Sequence, residues 1–594
     1  MNSPMASPIH DYGLVGDGET CALISRGGSV DFLCWPRFDS DACFCALLGT
    51  EENGCWRIAP EAQPHRIHRR YHGDTLVLET TFDTEAGVVR LLDFMPIRGE
   101  HSSLVRIVEG VQGRVPMRLD LRLRFDYGLM PPWSRRDADC FVADVGPDLV
   151  AFHAPTPIGI KGPDASARFA VEAGQRLGFA LSYGSSSQSP PKRPDAEASL
   201  EATVRFWEGW IGRFEKPCRW PEAVKRSLIT LKALVHQKTG GLVAAATLGL
   251  PEAPGGSMNW DYRYCWLRDA TFALTALLNA GYKEEAKRWR DWILRAVAGR
   301  PDKLQVVYRL DGARRLSEWS VKWLPGYEGS EPVRVGNEAS NQRQLDIYGE
   351  LLDSMHVAAR GGIERVERGI QVETALVEHL ESAWDQPCSD IWESRGDPQR
   401  YTYSQAMAWV GITQFLKGAR THQAASDDMI RRLQALCGRI HEEVCRRGYD
   451  EGCDHFVDYY GSNRLDASLL LLPIVNFLPV DDPRMARTIA AIERQLMDGG
   501  LVRRTAAKND GHDEGAFLVC SCWLADCMVK QGRHDEARTM LERVIGVSND
   551  VGLLSEEYHV PTRRLVGNIP QALTHLGVVN TALALSGPVL QRGA

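Results

Sequence analysis

The amino-acid sequence predicts a multidomain chain: an N-terminal antiparallel β-sandwich over residues 1–195, a linker helix over 196–220, and an all-α (α/α)6 barrel over 221–594. Three observations carry this. The apolar period is two from residue 11 to about 183, it is 3.6 from residue 197 onward, and the stretch 184–194 between them has no period at all. Alternation marks a sheet, because successive side chains leave opposite faces, whereas a helix returns to the same face once per turn. At 594 residues the chain is also too long for one hydrophobic core.

In the first part, Met117, Leu119, Leu121, Leu123 and Phe125 alternate with Arg118, Asp120, Arg122 and Arg124, the pattern of a half-buried antiparallel strand. Residues 75–82 and 88–94 flank Asp83-Thr84-Glu85-Ala86-Gly87 and read as a hairpin. Many short strands broken by Gly and Pro turns imply a sandwich. The run Gly184-Ser185-Ser186-Ser187-Gln188-Ser189-Pro190-Pro191-Lys192-Arg193-Pro194 is linker chemistry or a long loop.

After a connecting helix near 197–213, about twelve helical segments follow by periodicity and breakers. They begin near Glu222, Tyr264, Lys283, Asn341, Ile363, Tyr401, Ala425, Leu465, Arg484, Glu514, Asp535 and Pro570. An even succession of helices with no strands between them is what a closed ring of helical hairpins produces.

Composition narrows the function. A hydrophobic fraction of 44% and a charged fraction of 25% are ordinary for a soluble globular protein, and a net charge of -8 argues against nucleic acid and anionic membrane surfaces as partners. Residues 1–8 lack a basic start and an apolar core, and no stretch approaches the ~18 apolar residues of a membrane span. Fifteen cysteines lie scattered without a C-x-x-C pair, so reduced thiols and a cytoplasmic location are expected. Cys520, Cys522 and Cys527 sit in an apolar run and read as core residues rather than metal ligands. No metal or organic cofactor is implied, and the oligomeric state is not legible.

Two distant segments carry the chemistry: Asp390-Ile391-Trp392-Glu393 and Gly552-Leu553-Leu554-Ser555-Glu556-Glu557. Hydrolysis of a glycosidic bond takes one carboxylic acid to protonate the leaving oxygen and one carboxylate to activate water or attack the sugar. A Trp beside Glu393 supplies an apolar wall and a flat face for a pyranose ring. Taken alone, the residues leave Glu556 and Glu557 both open. By the same standard Arg268-Asp269 can be a charge arrangement at a helix start, Arg464 and Asp466 can be a structural ion pair, and Arg37 and Asp39 read best as a pin between the two parts.

In order and spacing, several runs together resemble a bacterial member of glycoside hydrolase family fifteen, the glucoamylase-like inverting exo-α-glucosidases, over nearly the whole chain. They are Asp11-Tyr12-Gly13-Leu14-Val15-Gly16-Asp17-Gly18, Cys34-Trp35-Pro36-Arg37-Phe38-Asp39-Ser40, Trp266-Leu267-Arg268-Asp269, Pro332-Val333-Arg334-Val335-Gly336-Asn337 with Gln344-Leu345-Asp346, Trp392-Glu393, Asn463-Arg464-Leu465-Asp466, Glu514-Gly515-Ala516-Phe517 and Asn568-Ile569-Pro570-Gln571-Ala572. The resemblance implies Glu393 as general acid and Glu556 as general base. It implies Arg268, Asp269 and Arg464 as the groups that bind the terminal glucose, with Trp266 and Trp392 lining the pocket. The implied activity is release of glucose from the non-reducing end of small α-glucosides, with trehalose hydrolysis as the alternative. Family members commonly carry charged residues where this chain has Ser404-Gln405-Ala406-Met407-Ala408-Trp409-Val410-Gly411-Ile412-Thr413-Gln414, which leaves the linkage open among trehalose, maltose, isomaltose and longer α-glucans. A phosphorylase needs no protein base and would need an anion cradle, and a sugar-binding protein needs neither carboxylate, so both classes fit the residues less well.

Overall fold

The computed structural model describes residues 6–137, 140–419, 425–506 and 513–593. Residues 1–5, part of the stretch read for a leader pattern, lie outside them. Strands fill the chain from Tyr12–Gly16 to Arg176–Ser185, and helices dominate from Ala196–Ile211 onward.

One long strand, Ser102–Arg122, organises the sandwich. Its first half pairs with Gly87–Phe94 and Arg176–Ser185, its second half with Cys55–Pro60 and Asp164–Glu172, all antiparallel. A strand of 21 residues is far longer than the usual five or six, so it passes from one sheet to the other partway along. The passage lies at Gly110–Gly113: Gly113 has φ +71, and a Cβ on Gly110 would stand 2.0 Å from the carbonyl oxygen of Glu172. Met117, Leu119 and Leu121 are buried, as their alternation requires. The expected hairpin is present as Leu78–Thr84 and Gly87–Phe94, with Thr84 facing Gly87, so the strands run further into the turn than the sequence suggests. The irregular segment begins only after Ser185, and Asp195 ends it by accepting the N–H groups of Glu197 and Ala198 at the start of Ala196–Ile211.

Among the described residues, the barrel pairs an inner with an outer helix six times. The inner elements are Leu267–Asn279, Asp346–Arg360, Thr402–Ala419, the short Ala467–Leu470 and Leu471–Ile474, Leu518–Lys530 and Ala572–Ala584. Each packs on the next, and the last packs on the first, which closes the ring. Inner helices such as Asp346–Arg360 and Leu518–Lys530 are buried nearly all round because both faces are covered; outer ones such as Asp427–Arg447 and Pro483–Gln495 bury one stripe. Cys520, Cys522 and Cys527 lie fully buried in the inner helix Leu518–Lys530, in the core where their apolar run placed them. Among the described residues no helix is long and apolar enough to cross a membrane.

The sandwich grips the loop end of the barrel. Arg263, fully buried, donates to the carbonyls of Phe38 and Ser40 and to the Tyr127 hydroxyl, while Asp261 balances its charge at 2.7 Å. Arg37 and Asp39 pair with each other and with Asp311 and Arg309, respectively, and so pin the two parts together.

Candidate active site

The starts of the inner helices border a cavity. Trp266, Arg268, Asp269, Trp392, Glu393 and Glu556 all line it. Trp266 closes a two-residue strand paired with Val307–Tyr308, and the helix Leu267–Asn279 starts at the next residue, so Asp269 falls in the first turn. Trp392 donates its indole N–H to both oxygens of Asp466 at 2.9 and 3.1 Å, and its ring packs on Phe517 and Trp523. That fixes it as a wall.

Glu393 sits in a loop with φ +56, a left-handed conformation that costs a non-glycine residue about 1–3 kcal/mol. Neighbours hold it there. Asp390 accepts Ser394 N at 2.8 Å and its hydroxyl at 2.5 Å, and Gln342 donates to the Glu393 carbonyl at 2.9 Å. The carboxylate accepts Arg268 Nη1 at 3.0 Å and Gln344 Nε2 at 3.2 Å on the same oxygen, Oε1.

Glu556 faces the same cavity, and the Tyr262 hydroxyl donates to its Oε1 at 2.8 Å. Glu557 opens the strand Glu557–His559, held between Ala516–Phe517 and Arg564–Val566. Side chains alternate along extended backbone, so the neighbour of a cavity-facing residue turns away from the cavity. Glu557 accordingly meets Arg504 from behind, at 3.5 Å, and does not line the cavity.

Arg464 is placed differently from expectation. Its side chain is 51% exposed, its partner is Asp458 at 3.8 Å, and it is absent from the cavity lining. It does not pair with Asp466 either, because that carboxylate is occupied by Trp392 and by Ser468 N. The second cavity arginine is Arg504, buried among Glu252, Glu514 and Glu557. Nothing local in Leu501-Val502-Arg503-Arg504 distinguishes it; the available signal was the surplus of buried-type glutamates in cavity motifs, which need a cation. Tyr262 was likewise missed. The helix stretch that departs from the family pattern bonds inward, Ser404 to Asp346 and Gln414 to Asp353, on the barrel axis below the cavity.

Burial sets the acidities. It pushes the Glu556 carboxyl well above its ordinary pKa, Glu252 adds to that push, and Arg504 and the Tyr262 hydrogen bond oppose it. Glu252 is raised to about 7 by burial, against Arg504. Asp269 also reaches about 7, through burial and the charges of Glu393 and Glu350, against Arg268. Burial disfavours the Arg268 charge, but Glu393, Asp269 and Asp346 outweigh it. If Glu556 must be ionised to work, activity is lost as pH falls through its pKa. Glu252→Gln removes a like charge, lowers that pKa, and should move the acidic limb of kcat/KM down by about one pH unit. A limb that stays put or moves up in that variant would show that Glu252 does not tune Glu556.

Comparison with known proteins adds three findings. The family model described as glycosyl hydrolases family 15 matches residues 221–583, and a model described as trehalase-like, N-terminal matches residues 2–201. A trehalase of Mycolicibacterium smegmatis is 35% identical over 97% of this chain and 91% of its own length, and one of Thermoplasma volcanium is 31% identical over 98% and 94%. A bacterial glucoamylase solved with acarbose superposes with a TM-score of 0.74 over 99% of this chain and 95% of that one; at 12% identity the likeness is one of fold.

Proposed function

The chain belongs to glycosyl hydrolases family 15 and is a glycoside hydrolase, and from that premise we propose that it is a trehalase, splitting trehalose into two glucoses with inversion. The observation that carries this is the near-full-length similarity to proteins named trehalase, sandwich included. It favours the alternative over the general glucoamylase-like reading.

In this reading Arg268 and Asp269 grip the hydroxyls of the terminal glucose, since a planar fork of donors beside an acceptor matches a vicinal diol. Glu393 gives its proton to the bridging oxygen as the bond from C1 to that oxygen breaks. Glu556 takes a proton from a water whose oxygen bonds to C1 from the opposite face. Its Oε1 is held by Tyr262, which leaves Oε2 to accept that proton. Arg504 fills the role first assigned to Arg464. The buried thiols suit a cytoplasmic setting.

Two measurements test the proposal. A panel of trehalose, maltose, isomaltose and soluble starch should show the highest kcat/KM on trehalose; a preference for maltose or starch would return the glucoamylase-like reading. Early proton NMR of trehalose cleavage should show β- and α-glucose in equal amounts, one from the attacked ring and one from the leaving ring. Two α-glucoses would mean retention and sink the two-carboxylate roles.

A further inference from the structure

The run Asn568-Ile569-Pro570-Gln571-Ala572 has no part in the chemistry assigned so far. Its Gln571 nevertheless lines the catalytic cavity, while being only 3% exposed. Gln571 is also the cap of the inner helix Ala572–Ala584: its Oε1 accepts the backbone N–H of Thr574 at 2.7 Å and the Thr574 hydroxyl at 3.0 Å. Of the two ends of an amide only the oxygen can accept from an N–H, so the cap fixes which end is which. The oxygen is spent on the helix, and the NH2 group takes no acceptor among the described residues. An amide nitrogen only donates, so whatever it meets in the cavity must accept.

The backbone puts that donor on the side of Glu556. Gln571 N donates to the carbonyl of Leu554 at 3.0 Å and Glu556 N to that of Asn568 at 3.2 Å, so the stretches 554–556 and 568–571 are clamped together. On its other flank Gln571 bridges Ala245, whose N–H donates to the Tyr262 carbonyl at 2.9 Å. Tyr262 is the residue whose hydroxyl holds Glu556 Oε1. Glu393 is held by a different set, Arg268, Gln342 and Gln344, none of which bonds to Gln571. Gln571 shares its scaffold with Glu556 and Tyr262, and not with the acid.

We propose that Gln571 holds the attacking water together with Glu556, its NH2 group donating to the water oxygen. The proposal rests on the reading of Glu556 as general base. In the inverting step one hydrogen of that water passes to Glu556 Oε2, the oxygen forms its bond to C1, and the bond from C1 to the bridging oxygen breaks as Glu393 protonates it. The other hydrogen stays on the oxygen and becomes part of the new hydroxyl. One lone pair of the water is used in the attack, and the second is free to accept from Gln571. A neutral donor suits this place, because it fixes the oxygen without competing for the proton that Glu556 must take. Gln571 itself gains and loses nothing. Its contribution is placement, and a displacement of about 1 Å in a reacting atom costs on the order of 10²-fold.

Two substitutions separate this role from capping. Serine is a good helix cap but too short to reach into the cavity, whereas methionine fills the space of glutamine and neither caps nor donates. The measurements are kcat and KM on trehalose, glucose binding by tryptophan fluorescence, and melting temperature, for the full-length wild type, Gln571→Ser, Gln571→Met and Glu556→Gln. Both Gln571 variants should lose kcat by about 10–100-fold while KM and the Kd of glucose stay within about twofold of wild type. Melting temperature should hold in Gln571→Ser and fall in Gln571→Met; if one variant does not fold, the kcat of the other decides. Wild-type kcat in Gln571→Ser would overturn the inference and leave Gln571 a helix cap. Loss in Gln571→Ser with wild-type kcat in Gln571→Met would also overturn it, since filling space would then be enough. A raised KM and glucose Kd with kcat unchanged would do the same, by making Gln571 a group that grips sugar. Turnover retained in Glu556→Gln would instead sink the reading of the base.

Discussion

Glu556→Gln is expected to lower kcat on trehalose by about 10²–10⁴-fold, whereas Glu557→Gln keeps most of it. The two residues are neighbours in sequence and opposites in space: Glu556 lines the cavity with Tyr262 on one oxygen, and Glu557 lies behind it against Arg504. Glu393→Gln should lose turnover to a similar extent, with a difference that separates the roles. A glucosyl fluoride leaves without protonation, so it should restore activity to Glu393→Gln but not to Glu556→Gln. Restored activity in both, or loss in Glu557→Gln with retention in Glu556→Gln, would reverse the assignment. Stability gives an independent check. Burial first, then Glu514, holds the Glu557 carboxyl well above its ordinary pKa, so the native state resists its ionisation. That penalty grows as pH rises through the folded value, and Glu557→Gln removes it. The variant should therefore melt no lower than wild type at neutral pH and higher at alkaline pH.

Arg504→Ala should be damaging in both fold and function. The guanidinium donates to Glu514 at 2.5 Å and to Glu252, stands 3.5 Å from Glu557, and lies against the rings of Trp392 and Phe517. Oxygens of Glu252, Glu514 and Glu557 all lie within 4.8 Å of one another, and all three residues are buried. Removing the shared cation leaves carboxyl groups that repel one another in low dielectric, a loss of about 3–5 kcal/mol. These carboxyls already have raised pKa values in Glu252 and Glu557, and the variant raises them further. The deficit should thus be largest at pH 8 and shrink toward pH 5, as protonation replaces the lost charge. Thermal melts across that range are the measurement. A deficit independent of pH would mean that packing, not charge, is what Arg504 supplies. Arg504→Lys should recover stability more than turnover, because an ammonium keeps the charge but not the fork.

Several helix starts lie within a few residues of the sequence reading: the expected starts at Glu222, Lys283, Tyr401 and Arg484 correspond to Pro221–Ala233, Lys283–Ala296, Thr402–Ala419 and Pro483–Gln495. Those near Tyr264 and Glu514 come three or four residues early, because short strands, Cys265–Trp266 and Ala516–Phe517, precede the helices Leu267–Asn279 and Leu518–Lys530. Such strands are too short for a period to register. The burial of the carboxyl pair was read less well. Trp392 pointed to Glu393 as the desolvated member, yet the fold buries Glu556 almost completely, 1% exposed, and leaves the Glu393 side chain 18% exposed.

What the sequence determined by itself is whatever neighbours along the chain decide: the change of period from two to 3.6, the order of sandwich and barrel, and the motifs that present Glu393, Glu556, Arg268 and Asp269. These are legible because a side chain's face is set by its own backbone within one or two turns. Only the tertiary structure decided which arginine joins the cavity, which of two adjacent glutamates faces it, and that Arg592 reaches Glu350 across 242 positions of chain. A charged side chain carries no mark of its partner in the sequence. Its partner is whatever the closure of the barrel brings within a few ångströms, and burial then makes that pairing matter, since a charge removed from water must be met by another.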